Sequence, residues 1–148
     1  MTERPVFLRC KACNTVNRLP ADKLADRPRC GKCRAYLQFP RTPVEVTASN
    51  FEEEVLRWPG IVLLEFWAEQ CSICRAIMPF IRELAGRKAG ILKVALVNVE
   101  REGFLANRFE IRSTPVFIVY QNGVKINELH GALPRQEMEA WIQSALGI

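Results

Sequence analysis

Long hydrophobic runs are missing from this sequence. Uninterrupted apolar stretches such as Ile61 to Leu64 fall far short of the ~20 residues a helix needs to cross a bilayer, so no membrane span is expected. The start, Met1 to Ala12, carries Glu3, Arg4, Arg9 and Lys11 where a secretory signal needs an apolar centre, and no export signal is visible. There is no low-complexity tract, and no repeat beyond a doubled C-x-x-C. With 49% hydrophobic and 25% charged residues in 148, disorder is not the expected state, and the default compartment is the cytoplasm. Against this ordinary background, two quantities stand out: a formal net charge of +5 and six cysteines. In a reducing compartment, clustered cysteines point to metal binding or redox catalysis before structural disulfides.

Both quantities are unevenly spread. Residues 1–40 hold 9 Lys+Arg against 3 Asp+Glu, net +6, whereas residues 41–148 hold 12 against 13, net −1. The first forty residues also hold four cysteines, as Cys10-Lys-Ala-Cys13 and Cys30-Gly-Lys-Cys33, and end at Pro40-Arg-Thr-Pro43, a stretch that reads as a linker. Two units are implied, 1–40 and 41–148. The first is too short to be held by an apolar core, so a metal or cross-links must stabilise it.

The two C-x-x-C pairs have the spacing of a four-cysteine zinc ribbon. Each pair supplies two thiolates from a tight turn, and the two turns converge on the tetrahedron zinc accepts. Gly31 and Asn14 suit the positive backbone angles of such turns. Two disulfides are the competing reading, disfavoured by the compartment; a redox pair is another, disfavoured because no helical register comes after either motif. One structural zinc ion on Cys10, Cys13, Cys30 and Cys33 would leave no open position for catalysis. Arg9, Lys11, Arg18, Lys23, Arg27, Arg29, Lys32 and Arg34 could face phosphates, but four thiolates with zinc contribute −2 and the aromatics are few, Phe7, Tyr36 and Phe39. A solvated basic face is therefore expected, and nucleic acid is not.

From residue 43 the pattern alternates as βαβαβαββα, an α/β fold. Val44 to Thr47 reads as a strand, and Ser49 with Glu52 as the capping box of a helix ending at Trp58. Ile61 to Trp67 reads as a strand buried on both faces. Arg75 to Lys88 comes next as a helix kinked at Pro79, with Leu92 to Val99 as another buried strand and Gly103 to Phe109 as a helix. Val116 to Tyr120 and Lys125 to Leu129 form a hairpin around Asn122-Gly123, and Pro134 opens the last helix. The third pair, Cys71-Ser-Ile-Cys74, falls between the buried strand and the helix. Cys71 at a helix start faces unpaired N–H groups and the positive end of the dipole, which favours its thiolate, the attacking species in disulfide exchange. Cys74, one turn on, can attack a mixed disulfide formed at Cys71. Zinc binding by this lone pair is the alternative.

The run Glu65-Phe-Trp-Ala-Glu-Gln-Cys71-Ser-Ile-Cys74-Arg with Pro79, then Arg112-Ser-Thr-Pro115, Asn122-Gly123 and His130-Gly-Ala132, resembles thioredoxin in order and spacing over about residues 43–147. With the ribbon in front, the whole chain is similar to the zinc-binding thioredoxin 2 group of bacteria. The resemblance implies a thioredoxin fold, a central mixed sheet flanked by helices. It implies a protein-disulfide reductase in which Cys71 is the nucleophile and Cys74 the resolving thiol. Pro115 is then a cis-proline against the disulfide, leaving the backbone of Thr114 free to pair with an extended substrate. It also implies thioredoxin reductase and disulfide-bearing proteins as partners, a monomer, and no membrane association.

Four departures accompany it. Gln70 stands where the family has Trp, and Ser72-Ile73 where it has Gly-Pro, changes expected to alter potential or partner choice. These residues count as substrate-facing, together with Trp67 as active-site packing and His130-Gly131 in a loop bordering the substrate. Glu65 takes the place of the family's buried Asp, with a raised pKa suited to exchanging the proton of Cys74. The family's lysine partner to that acid is replaced by Leu96. A specialised thiol oxidant or isomerase, or a redox-sensing binding protein, remains the alternative reading.

Overall fold

The computed structural model describes residues 5–147; the ends of the two expected units, residues 1–4 and 148, lie outside the described residues. The chain begins with an antiparallel pair, β1 (Val6–Arg9) and β2 (Val16–Leu19), and then a short 3-10 helix, Ala21–Asp26. The remainder builds a five-stranded mixed sheet in the order β3-β5-β4-β6-β7, from β3 (Val44–Glu45), β4 (Ile61–Trp67), β5 (Leu92–Asn98), β6 (Val116–Gln121) and β7 (Val124–His130). Its helices are α1 (Ser72–Arg87), α2 (Gly103–Arg108) and α3 (Arg135–Leu146). The largely apolar β4 lies in the centre, parallel to β5 and antiparallel to β6, as its near-continuous hydrophobic run requires. The expected order βαβαβαββα is observed. No described helix is long and apolar enough to cross a membrane.

Strand alternation divides the core in two. One face carries Ile61 and Leu63 of β4, with Leu92, Val94 and Leu96 of β5, and is covered by Phe80, Ile81 and Leu84 of α1 and Met138 and Ile142 of α3. The opposite face carries Val62, Leu64 and Phe66, with Ala95 and Val97, and is covered by Phe51, Val55 and Trp58. It is also covered by Val6, Leu8, Cys10, Cys30 and Leu37 of the ribbon. The ribbon therefore shares a hydrophobic core with the sheet. Leu24 closes the contact against Gly90, where φ is +96° and an added Cβ would sit 2.5 Å from the leucine side chain.

The capping box does not form. Residues 48–50 make a turn in which the Thr47 N–H donates to Asn50 Oδ1 at 2.8 Å and Thr47 Oγ1 lies 2.9 Å from Ser49 Oγ. A π-helical turn, Glu52–Leu56, comes directly after it, started by Phe51 without a side-chain cap. The competing side-chain bond is local, which is how Ser, Thr and Asn draw backbone out of helices. The expected hairpin does form, with Asn122 and Gly123 both at positive φ, 51° and 81°. Gly123 is required there, since a Cβ would lie 2.2 Å from the Leu56 carbonyl oxygen.

Lys93 is a core feature that its sequence position does not suggest. It interrupts the apolar β5, is fully buried, and donates to Glu54 Oε2 at 2.5 Å and to the Glu54 carbonyl at 2.7 Å; its ammonium also sits 3.9 Å from the Trp58 ring centroid. Burial lowers its pKa, and Glu54 opposes that shift. A buried cation deprived of its counter-ion costs about 3–5 kcal/mol. Glu54→Ala should lose about that much stability in urea unfolding, whereas Lys93→Met, which removes charge and desolvation together, should lose much less. Equal losses in the two variants would contradict this account.

Candidate active site and metal centre

The C-terminal end of β4 is where the third cysteine pair lies. Cys71 caps α1, its sulfur accepting the N–H of Cys74 at 3.0 Å, and it is joined to Cys74 by a disulfide with Cα atoms 5.2 Å apart. The sixteen-residue α1 has no acidic residue in its first turn, so its positive end faces Cys71 Sγ uncompensated. Cys71 is half-buried and Cys74 fully buried. The loop before them is braced: the Glu69 N–H donates to Glu100 Oε1 at 2.7 Å and the Arg75 guanidinium to the Glu69 carbonyl at 2.6 Å. Sequence reasoning misses Arg75 and Glu100, because a brace between loops leaves no periodic signal.

The topology brings the other candidates to the same end. β6 runs antiparallel to β4, so Val116 at its start pairs with Phe66, and the Thr114-Pro115 bond just before it is cis. The Thr114 carbonyl oxygen lies 3.6 Å from Cys71 Sγ. β7 ends beside it, with His130 opposite Val116 and the Gly131 N–H bonded to the Pro115 carbonyl at 2.8 Å. His130 is exposed and its Nε2 lies 2.6 Å from Glu128 Oε2. Gln70, Ser72 and Ile73 are exposed on the rim, Ile73 at 54%, while Trp67 and Thr114 are half-buried.

Glu65 is fully buried on the sheet face covered by α1 and α3. It stands opposite Leu96 on one side and Phe117 on the other, and neither carboxyl oxygen has a hydrogen-bond partner among the described residues. Burial pushes its pKa up to about 8. Lys93 cannot stand in for a cationic partner, because three residues along β5 from Leu96 it faces the other way.

At the ribbon, the sulfurs of Cys10, Cys13, Cys30 and Cys33 all lie within 4.8 Å of one another, with Cys10–Cys33 and Cys13–Cys30 at 3.5 Å. Tetrahedral zinc with Zn–S near 2.3 Å needs sulfur separations of about 3.8 Å, so the cluster fits the ion. Each pair is held by the same turn: Cys10 and Cys30 donate to the carbonyls of Thr15 and Ala35, and Asn14 and Arg34 donate back to Cys10 and Cys30. The positive angles fall just after each pair, at Asn14 (66°) and Arg34 (69°). Asn14 behaves as its sequence suggests, whereas Gly31 does not take the positive φ expected of it. Gly31 instead donates its N–H to Asn17 Oδ1 at 2.9 Å. The backbone N–H of Cys33 and the side chain of Asn17 lower the Cys30 thiol toward the thiolate that a metal needs, while the neighbouring sulfurs push the Cys33 thiol the other way, so without an ion the cluster does not hold four thiolates.

Residues 42–144 match the family model for thioredoxin, and residues 9–35 match that for the N-terminal domain of thioredoxin 2. The chain belongs to the thioredoxin family. Its relatives include thioredoxin C-3 of Corynebacterium nephridii, 29% identical over 93% of both chains. Thioredoxin 1 of Nostoc is 33% identical over 69% of this chain and 95% of its own length. For thioredoxin 2 of Chlorobaculum tepidum the figures are 32%, 70% and 94%. The family and the Cys71–Cys74 pair make the chain a thiol-disulfide oxidoreductase, a protein-disulfide reductase, with a zinc ribbon at its N-terminal side.

In this thioredoxin domain the buried Glu65 has a thermodynamic signature. Its folded pKa of about 8 lies above the ordinary 4.5, so the cost of burying it is absent below pH 4.5, grows as the unfolded chain ionises, and is complete above pH 8. At ~1.36 kcal/mol per unit the full cost is about 5 kcal/mol. Glu65→Gln should therefore match wild type in urea unfolding at pH 4.5 and exceed it by several kcal/mol at pH 9. A constant difference across that range would rule out the titration.

Proposed function

We propose that the protein reduces disulfides of cytoplasmic client proteins through Cys71 and Cys74. The Cys71 thiolate attacks a substrate sulfur, forming a mixed disulfide and releasing the first substrate thiolate, which takes a proton. Cys74 then loses its proton, with ionised Glu65 as acceptor, and its thiolate attacks Cys71 Sγ. The second substrate thiolate leaves, the Cys71–Cys74 disulfide closes, and two electrons have passed to the client. The backbone of Thr114, beside cis Pro115, pairs with an extended client segment. Trp67, Gln70, Ser72, Ile73, His130 and Gly131 form the rim that the segment meets. A thioredoxin reductase returns the electrons, and the chain works as a monomer, divided near residue 41 into ribbon and catalytic unit. Cys10, Cys13, Cys30 and Cys33 hold zinc, which supplies structural cross-linking.

The observation that carries this reading is the placement of Cys71 Sγ, half-exposed at the start of α1 and 3.6 Å from the Thr114 carbonyl. The expected result is accelerated insulin reduction over dithiothreitol alone, with an equilibrium potential against glutathione in the reducing range, near −270 mV. The exposed Ile73, where the family carries proline, favours a second reading as a specialised oxidant. A potential near −120 mV would establish that reading and overturn the first.

A further inference from the structure

Between the ribbon and the sheet runs a groove of about 1020 Å³, at the upper end of the size of a small-ligand cleft. Arg9 and Lys11 line it from the end of β1 and the turn after it, Arg27 from the residue after the 3-10 helix, and Arg41 from the linker. Glu54, the acid that also lines it, is committed to Lys93. Among the described residues, none of those four cations pairs with a carboxylate. Arg9 spends its terminal nitrogens on the carbonyls of Asn14 and Arg57, and its Nε is buried without an acceptor among the described residues. Even after about −2 from a zinc tetrathiolate the groove keeps an excess of positive charge. Unmatched cations along a concave wall concentrate anions.

The aromatic geometry decides which anion. Single-stranded nucleic acid binds by stacking bases on free rings. Here the guanidinium groups of Arg27 and Arg29 lie over Tyr36, at 4.6 and 4.2 Å from its centroid. Lys93 lies over Trp58, and Phe39 meets Trp58 edge-on at 5.8 Å. The groups left available are guanidinium and ammonium above an apolar floor of Leu37 and Trp58, which suits carboxylates. We propose that this groove binds an extended, Asp- and Glu-rich segment of a client protein and so selects clients for the Cys71 site.

The separation fits that role. Trp58 lies just before the start of β4 and Cys71 just beyond its end, so at ~3.3 Å per residue roughly 20 Å separates groove from sulfur. About six or more extended residues between an acidic segment and a disulfide would let one client fill both. The second contact is then intramolecular, lowering KM while kcat is unchanged.

The test uses full-length, zinc-loaded protein. Fluorescein-labelled octaglutamate should bind Cys71→Ser protein in fluorescence anisotropy, more weakly as salt is raised, and about 10-fold more weakly when Lys11→Glu and Arg41→Glu are added. In otherwise wild-type protein, a disulfide peptide carrying eight glutamates beyond a ten-residue Gly-Ser linker should show a KM several-fold below that of its octaserine counterpart. The charge-reversed protein should lose that advantage and keep its kcat. Equal octaglutamate binding by the two proteins at full zinc content, or tighter binding of an octauridylate RNA than of octaglutamate, overturns the proposal. The kinetic arm rests on the disulfide-reductase reading and the binding arm does not. Charge-dependent binding without turnover would uphold the groove and sink the reductase reading.

Discussion

Cys71→Ser should abolish disulfide turnover, while Cys74→Ser should stop the cycle with the client still attached. The asymmetry comes from burial. Cys74 is fully buried and cannot meet a macromolecular disulfide, whereas Cys71 is half-exposed at the start of α1 with a backbone N–H aimed at its sulfur from 3.0 Å. That N–H and the helix dipole stabilise negative charge at Cys71 and nowhere else in the pair. Serine at 71 has no thiolate to offer, so insulin reduction should fall to the dithiothreitol background, a loss on the order of 10³-fold or more. Serine at 74 leaves attack intact but removes the group that reopens the mixed disulfide. Mass spectrometry of that variant, incubated with a disulfide peptide, should find one peptide half bonded at Cys71. Turnover within tenfold of wild type in Cys71→Ser, or the adduct on another cysteine, would reverse the assignment.

Exposed residues surround this pair. Ile73 puts a 54%-exposed branched side chain beside the nucleophile, and the amide side chain of Gln70 is exposed on its other side in sequence. Both lie on the exposed surface that the proposed cycle presents to clients. Glu65 is different, because its neighbours Leu96 and Phe117 offer it no charge and no donor. A carboxyl with a pKa of about 8 is mostly neutral at pH 7; in the proposed cycle, where Glu65 accepts the Cys74 proton, resolution should therefore quicken as pH rises toward 8.

Sequence and structure agree most closely where one local force dominates. β4 and β5 announce themselves by apolar runs with little competing pattern, and Asn122-Gly123 by its demand for positive φ. The cysteine pairs are legible because ligand and redox spacing is dictated by the chemistry of sulfur. The cis Thr114-Pro115 bond is accessible only through resemblance, since neither residue's composition selects cis over trans. The Ser49 cap fails because the Ser49 hydroxyl is taken up by Thr47 Oγ1 within the turn, a local side-chain bond that competes with helix capping. Lys93, its partner Glu54 and the docking of Leu24 on Gly90 depend on residues tens of positions apart, and no window of sequence contains both sides. The basic groove belongs to this last class: its charges are visible as a count, but its concavity arises from the ribbon lying on the sheet.

Zinc removal should be the largest perturbation of stability available without changing a residue. Structural zinc contributes about 10–16 kcal/mol of apparent binding free energy in small ribbons and fingers at pH 7, and that energy is folding energy when the apo site does not persist. In this chain Cys10 and Cys30 are 1% and 0% exposed and lie in one core cluster with Val46, Phe51 and Trp58. Losing the ion leaves four thiolates to repel one another or take up protons, and among the described residues the ribbon has only Val6, Leu8 and Leu37 as buried aliphatic anchors. The ribbon should therefore detach, exposing Phe39 and Trp58, while the five-stranded sheet with Cys71 and Cys74 stays folded around its second core on the α1 and α3 face. Tightly chelated protein should show a red-shifted tryptophan emission, rapid amide exchange over residues 6–37, a markedly lower urea midpoint and retained insulin reduction. Lowering the pH should release the metal in the same way, because each ligand must be a thiolate. Metal-free protein that keeps its exchange protection in the ribbon and its urea midpoint would mean that the sulfur cluster is held by packing alone.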